Sequence, residues 1–206
     1  MRAATLKEIY QIALNSKYNL WDEANYYDRD VKLYLHWSAG RYNTRFDDYH
    51  INITGDGIYY IATEDFSDIL NHTWKRNSGS IGISLCCAYE ATSEDLGDYP
   101  PTGVQIERMS RVGCVLADAL DLSIDLKRIM THGEAADNED GEYIHEDYGP
   151  STTCERWDLE YLGTDESPEF APWGDPEKRG GSVLRGKMAW YRSQGLTEKV
   201  LRGEED

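Results

Sequence analysis

Long hydrophobic runs are missing from this 206-residue chain. No stretch of about eighteen apolar residues occurs, so a transmembrane helix is excluded. Basic residues are scarce too: 21 Lys and Arg stand against 38 Asp and Glu, a formal net charge of -17. That is the wrong sign for a phosphate backbone, and nucleic acid is not an expected partner. The four cysteines, Cys86, Cys87, Cys114 and Cys154, form no C-x-x-C pair, which argues against a zinc finger and for buried thiols. The first residues offer no signal-peptide core, because Lys7 and Glu8 interrupt it. Synthesis as a cytoplasmic protein without stable membrane insertion is therefore expected.

Apolar and aromatic residues are plentiful. Hydrophobic residues make up 40% of the chain, with 6 Trp and 15 Tyr, enough for a soluble core and against intrinsic disorder. The length suits one α/β domain, or one domain with an appendage. The acid excess is concentrated: residues 134–177 hold fifteen Asp and Glu and one basic residue, Arg156. A solvated insertion is the simple reading of such a run; an acidic wall beside a cation site, or beside the amino groups of a peptide, is the sharper one.

The apolar positions sort into elements. Leu6, Ile9, Tyr10, Ile12 and Ala13 recur at helical spacing, predicting an opening helix over 4–16. Residues 31–37, 49–53, 57–62 and 80–88 read as strands; the second and third are joined through Gly55-Asp56-Gly57, and the last is apolar enough to be central. Thr102 and Gln105 make a capping box before Ile106, Met109, Val112, Leu116 and Leu120, the clearest helix of the chain. Residues 125–130 form a turn or short strand leading to Thr131-His132, and 133–150 read as a long loop. A Gly/Pro-rich loop over 163–181 precedes a closing helix over 183–194.

The five histidines are His36, His50, His72, His132 and His145. His36 ends an apolar strand and His132 follows the 125–130 segment, places where an element stops and a cleft can open. A catalytic zinc takes three protein ligands and keeps a fourth position open, but these two histidines lack the compact spacing of H-E-x-x-H. Spacing alone leaves structural and metal-binding roles both open. Glu134, two residues past His132, could orient a ligand or act as a base.

Several blocks, in order, resemble one family. Leu35-His36-Trp37-Ser38-Ala39 is a strand-end His-x-Ser-Ala segment; Tyr49-His50-Ile51-Asn52-Ile53 precedes an Asp-Gly turn; His72 and Asn77 precede Ser80-Ile81-Gly82-Ile83; Gln105 lies on the long helix; and Thr131-His132 is followed by Arg156-Trp157-Asp158. This order resembles the zinc-dependent N-acetylmuramoyl-L-alanine amidases, the superfamily of phage lysozyme-type amidases and peptidoglycan recognition proteins. It spans roughly residues 30–162.

The resemblance implies a single α/β domain with a central mixed β-sheet flanked by helices, and Zn2+ as cofactor. It implies His36, His132 and Asp158 as metal ligands, with Cys154 and His145 as rivals for the third place. Tyr49 and Arg156 take the catalytic positions, and His72, Trp37 and Asn77 line the substrate groove. The family's lysine is Arg156 here, so the charge is kept but a compact donor becomes a planar one. His50, beside Tyr49, is expected to face the other side of its strand in a structural role.

The implied reaction is hydrolysis of the amide between N-acetylmuramic acid and L-alanine, with peptidoglycan or a muropeptide as partner. Residues 1–162 would be the amidase domain, and 163–206 a loop and helix packed on it. A phage or prophage lysin, released to the wall through a separate pore, is the expected setting. Recycling of cytoplasmic muropeptides and non-catalytic muropeptide binding are the alternatives. The sequence sets no oligomeric state.

Overall fold

A computed structural model describes residues 1–205. Six strands form one mixed sheet: β1 (Arg2–Ala3), β2 (Lys32–Trp37), β3 (Ile51–Ile53), β4 (Tyr59–Ile61), β5 (Ser80–Leu85) and β6 (Ile129–Thr131), in the spatial order β1-β4-β3-β5-β2-β6. β3, β5, β2 and β6 run parallel, while β4 pairs antiparallel with β3 and β1. β2 and β5 are buried along their whole length, which is why they read as near-continuous apolar runs.

The two-residue period of β2 divides the sheet's faces. Leu33, Leu35 and Trp37 join Ile81, Ile83 and Leu85 in the main core. Lys32, Tyr34 and His36 lie opposite Ser80, Gly82 and Ser84 in the β5 register, so the other face is polar. His36 lies on that polar face, and His72 packs over Gly82 there.

α1 (Leu6–Tyr26) starts at a Thr5/Glu8 capping box and runs well past the predicted 4–16. Its buried stripe continues through Ser16, Leu20 and Ala24. Ser16 hid the periodicity, because its buried Oγ accepts the Phe66 N–H instead of packing as an apolar group. α2 (Gly103–Ala119) has the predicted Thr102/Gln105 box. Gln105 Nε2 also donates to the Ile53 and Cys86 carbonyls, both at 3.0 Å, tying the helix start to the ends of β3 and β5.

Three expectations need correction. The stretch 133–150 is not all loop: Thr131 and Glu134 form a third capping box and start α3 (His132–Ala136). Glu134 is thereby removed from any role as a base, because it is buried, accepts the Thr131 N–H, and is held by Arg185 at 2.7 and 2.8 Å. Cys154 is exposed, unlike the other three thiols.

The third correction concerns the acidic segment, which is solvated only in part: Glu146, Asp147, Glu155 and the acids from Asp165 to Glu177 are exposed, but the others are built into the fold. Asp140 meets Lys32 and Arg76, each at 2.7 Å; Arg179 bridges Glu160 and Glu139; and Asp137 accepts from the Gly149 and Ser151 N–H groups. Buried charges must be paired, and here the partners come from β2, the loop before β5 and the chain after residue 178.

The C-terminal segment adds α4 (Gly180–Ser193) and α5 (Leu196–Arg202), the latter absent from the sequence expectations and entered through Gly195 at a φ of 67°. α4 lies on α2: a Cβ on Gly113 would fall 2.4 Å from the Met188 methyl, so glycine is what permits the approach. Glu107 holds Lys187 and Tyr191 across the same contact.

Candidate active site

His36 is the penultimate residue of β2 and His132 opens α3 directly after β6. β6 pairs parallel with β2, so two segments nearly a hundred residues apart deliver their histidines to the same end of the sheet. The rings lie 4.8 Å apart. Asp158, in the turn after Trp157, completes the group: its Oδ2 is 3.4 Å from His36 Nδ1 and 3.5 Å from His132 Nδ1. The three ligand atoms lie within 4.8 Å of one another.

Two imidazoles and one carboxylate are a donor set that suits zinc. Bonds of about 2.0–2.2 Å place tetrahedral ligand atoms roughly 3.3–3.5 Å apart, the separation of Asp158 from each histidine. His36 Nδ1 is buried without a well-formed hydrogen bond, an uncommon state for a polar atom unless something else satisfies it. Protonation also suits a metal, which needs neutral imidazole and ionised carboxylate. Burial pushes His36 down to about 4, outweighing the attraction of Asp158. Burial alone would raise Asp158, but the close His132 and His36 rings hold its carboxyl well below the usual range.

Tyr49 sits in the turn before β3 with its ring 5.0 Å from that of His36. Burial and the Asp158 charge push its phenol upward, so it keeps its proton at neutral pH. His50 does not face away as expected. β3 begins only at Ile51, and the irregular backbone lets Tyr49 and His50 both approach the histidine group. The role of His50 is nonetheless architectural: Nε2 donates to the Asp68 carbonyl at 2.9 Å and Nδ1 accepts the Gly82 N–H at 3.0 Å.

His72 is buried over β5, where Gly82 makes room for its ring; a Cβ there would lie 2.6 Å from His72 Cγ. Asn77 faces the chain rather than only the cleft: its Oδ1 accepts the His72 and Thr73 N–H groups at 3.2 and 2.7 Å and so fixes the loop carrying His72. Trp37, on the core face of β2, is 5% exposed and meets Trp157 edge-on at 5.0 Å. Arg156 is exposed, with Nη1 donating to the Glu155 carbonyl.

Two cavities meet at this group. One, about 590 Å³, is lined by Trp37, Tyr49, His72, His132, Arg156 and Asp158 among others. The second, about 1090 Å³, shares His72, His132 and Arg156 and extends past Trp74, Lys75 and Tyr148. Together they form a cleft whose wall includes His132 and Asp158, with His36 fully buried behind them.

Neither rival for the third ligand reaches the group. His145 is bound to Arg76 Nε at 3.2 Å and to the Glu146 carbonyl, and Cys154 lies outside the cluster at a φ of 60°. The residues missed from the sequence are Thr73, placed between His36 and His72, and Arg76, which is fully buried and anchors the far wall. Both lie close to His72 in sequence, but nothing in their spacing marks them.

Comparison with known proteins gives one family. No curated protein matches the chain. Among solved structures, the Ph2119 endolysin from Thermus scotoductus MAT2119 bacteriophage Ph2119 is similar at 16% identity over 51% of this chain and 72% of that one, with a TM-score of 0.39. Residues 15–154, more than half of the chain, match the family model described as N-acetylmuramoyl-L-alanine amidase. The match includes His36, Tyr49, His72 and His132 and stops four residues before Asp158. The chain belongs to the N-acetylmuramoyl-L-alanine amidase family.

Proposed function

We propose that this protein is a zinc-dependent amidase that hydrolyses the bond between N-acetylmuramic acid and L-alanine in peptidoglycan, as a phage-type cell-wall lysin acting after release through a pore made by another protein. The observation that carries the reading is the meeting of His36, His132 and Asp158 within 4.8 Å of one another, with His132 and Asp158 facing a cleft. A zinc held by these three would supply Lewis acidity toward an amide carbonyl and toward water.

The chain's own residues do the rest. Tyr49, protonated at neutral pH, donates a hydrogen bond at the carbonyl or to the attacking water. Arg156 stands at the mouth of both cavities and offers a positive charge to the developing oxyanion. Its exposure lets it fold inward over a bound substrate. Trp37 and Trp157 form an apolar wall that limits water at one side of the group. Asn77 holds the loop that presents His72 to the glycan or peptide. Residues 1–162 carry this machinery, and 163–206 brace it as part of the same domain.

Digestion of purified peptidoglycan with product analysis by mass spectrometry tests the reading. Free muramic lactyl groups together with new L-alanine amino termini, lost on chelation and restored by zinc, are expected. Cleavage within the stem peptide or between sugars, or muropeptide binding without turnover by the zinc-loaded protein, contradicts it.

A further inference from the structure

Between His36 and His72 lies one hydroxyl. Thr73 Oγ1 is 3.4 Å from His36 Nε2 and 3.0 Å from His72 Nδ1, and the three residues are at most 5% exposed. Thr73 cannot drift, because Asn77 holds its N–H at 2.7 Å. The remaining ring atom, His72 Nε2, is buried without a hydrogen-bond partner among the described residues, and the His72 side chain borders both cavities.

A hydroxyl has one proton to donate, and a neutral imidazole has one donor and one acceptor nitrogen. A chain of two imidazoles and one hydroxyl, in which the hydroxyl gives its proton to one ring and accepts from the other, therefore has only two consistent directions. Without a metal, the Asp158 carboxylate draws the His36 proton to Nδ1; His36 Nε2 then accepts from Thr73, Thr73 accepts from His72 Nδ1–H, and His72 Nε2 is left as an acceptor. A metal at His36 Nδ1 takes that lone pair and forces the proton to Nε2. Thr73 then accepts from His36 and donates to His72 Nδ1, which leaves the His72 proton on Nε2. The chain carries three protons in both arrangements, so nothing is gained or lost.

We propose that Thr73 is a positioning residue that reverses this hydrogen-bond chain when the metal site fills, turning His72 Nε2 from an acceptor into a donor toward the cleft. The inference rests on the zinc reading above and adds a consequence to it: the groove gains a donor for a substrate carbonyl or sugar oxygen only when the metal that cleaves the amide is in place. A protein without metal then binds its substrate weakly.

Two-bond 15N–1H correlation spectra of 15N-histidine-labelled protein read the tautomers directly, with His72 assigned by a His72→Gln sample. In the wild type, one equivalent of zinc is expected to convert His72 from the Nδ1–H to the Nε2–H form. Thr73→Val, which keeps the side chain's shape, is expected to bind one zinc while the His72 tautomer stops responding to it. Its kcat/KM on peptidoglycan should fall by about tenfold, carried mainly by KM, the scale of one lost hydrogen bond. Thr73→Ser should restore the response.

Bound zinc with an unchanged His72 tautomer in the wild type, or an intact response in Thr73→Val, overturns the coupling and leaves the metal centre standing. Absence of zinc binding by the wild type overturns the metal centre and the coupling together. The wild-type measurement decides the central point even where a variant folds poorly.

Discussion

At the scale of single residues, the site is set by which nitrogen faces what. His36 and His132 both turn Nδ1 toward Asp158, and Asp158 is the only carboxylate in the group. Replacing it by Ala should therefore release the metal and lower activity by at least about 100-fold, since a three-ligand site reduced to two histidines loses both charge and geometry. Retained activity in Asp158→Ala, checked by turnover of peptidoglycan at saturating zinc, contradicts its assignment. Arg156 makes a different prediction. It touches none of the three ligand atoms at salt-bridge distance, so Arg156→Ala should keep full metal content while kcat falls by about 10- to 100-fold. Arg156→Lys should recover part of that loss, because charge survives while planarity does not. A fall in metal content instead would place Arg156 among the groups that hold the centre.

At the scale of elements, the acidic segment is the instructive case. Its composition reads as a solvated loop, yet Asp140 is buried between Lys32 of β2 and Arg76, and Arg76 also donates to Asn138 Oδ1 and the Glu142 carbonyl. Burial would raise the Asp140 carboxyl, but the hydrogen bonds from Arg76 and Lys32 win and hold it low. Arg76→Met leaves this carboxylate paired with Lys32 alone, in an interior where removing one partner of a buried pair costs about 3–5 kcal/mol. The variant should lose hydrogen-exchange protection across 137–149 before the sheet does, and KM should rise because His145 and Tyr148 of that segment line the cleft. Unchanged protection there would show that the pairing does not hold the wall. None of this was legible in the sequence, because the partners of Asp140 lie 108 and 64 residues away. By contrast, the Thr102/Gln105 cap, the β3–β4 hairpin and the buried runs of β2 and β5 were legible, since each depends on neighbours within a few residues. The α3 cap is equally local, but Thr131-x-x-Glu134 stands at the head of an acidic stretch whose composition reads as loop.

At the scale of the whole molecule, the polar face of the sheet buries neutral histidines in place of an apolar layer. His50 is held down to about 4 by burial, despite the Asp68 carbonyl at its Nε2. Its unfolded value is near 6.5, so between pH 6.5 and 4 the unfolded chain binds a proton that the folded chain refuses. Stability therefore falls as the pH drops through that window, by on the order of 3 kcal/mol for His50 in full. In metal-free protein, the slope of Tm against pH between 6.5 and 4 should be flatter for His50→Gln than for the wild type, whatever its absolute Tm; equal slopes contradict the account. The sequence located this face only in part. His36 and His132 were marked by their places at element ends, whereas Asp158 was marked only by the family resemblance of Arg156-Trp157-Asp158, because its approach depends on a turn stacked through Trp157 and Tyr161. The three-residue centre is the central claim, and bound zinc per chain after equilibrium dialysis tests it most directly. The account predicts one zinc for the wild type and for Cys154→Ala, and none retained by Asp158→Ala. Full zinc in Asp158→Ala, or its loss in Cys154→Ala, would contradict it.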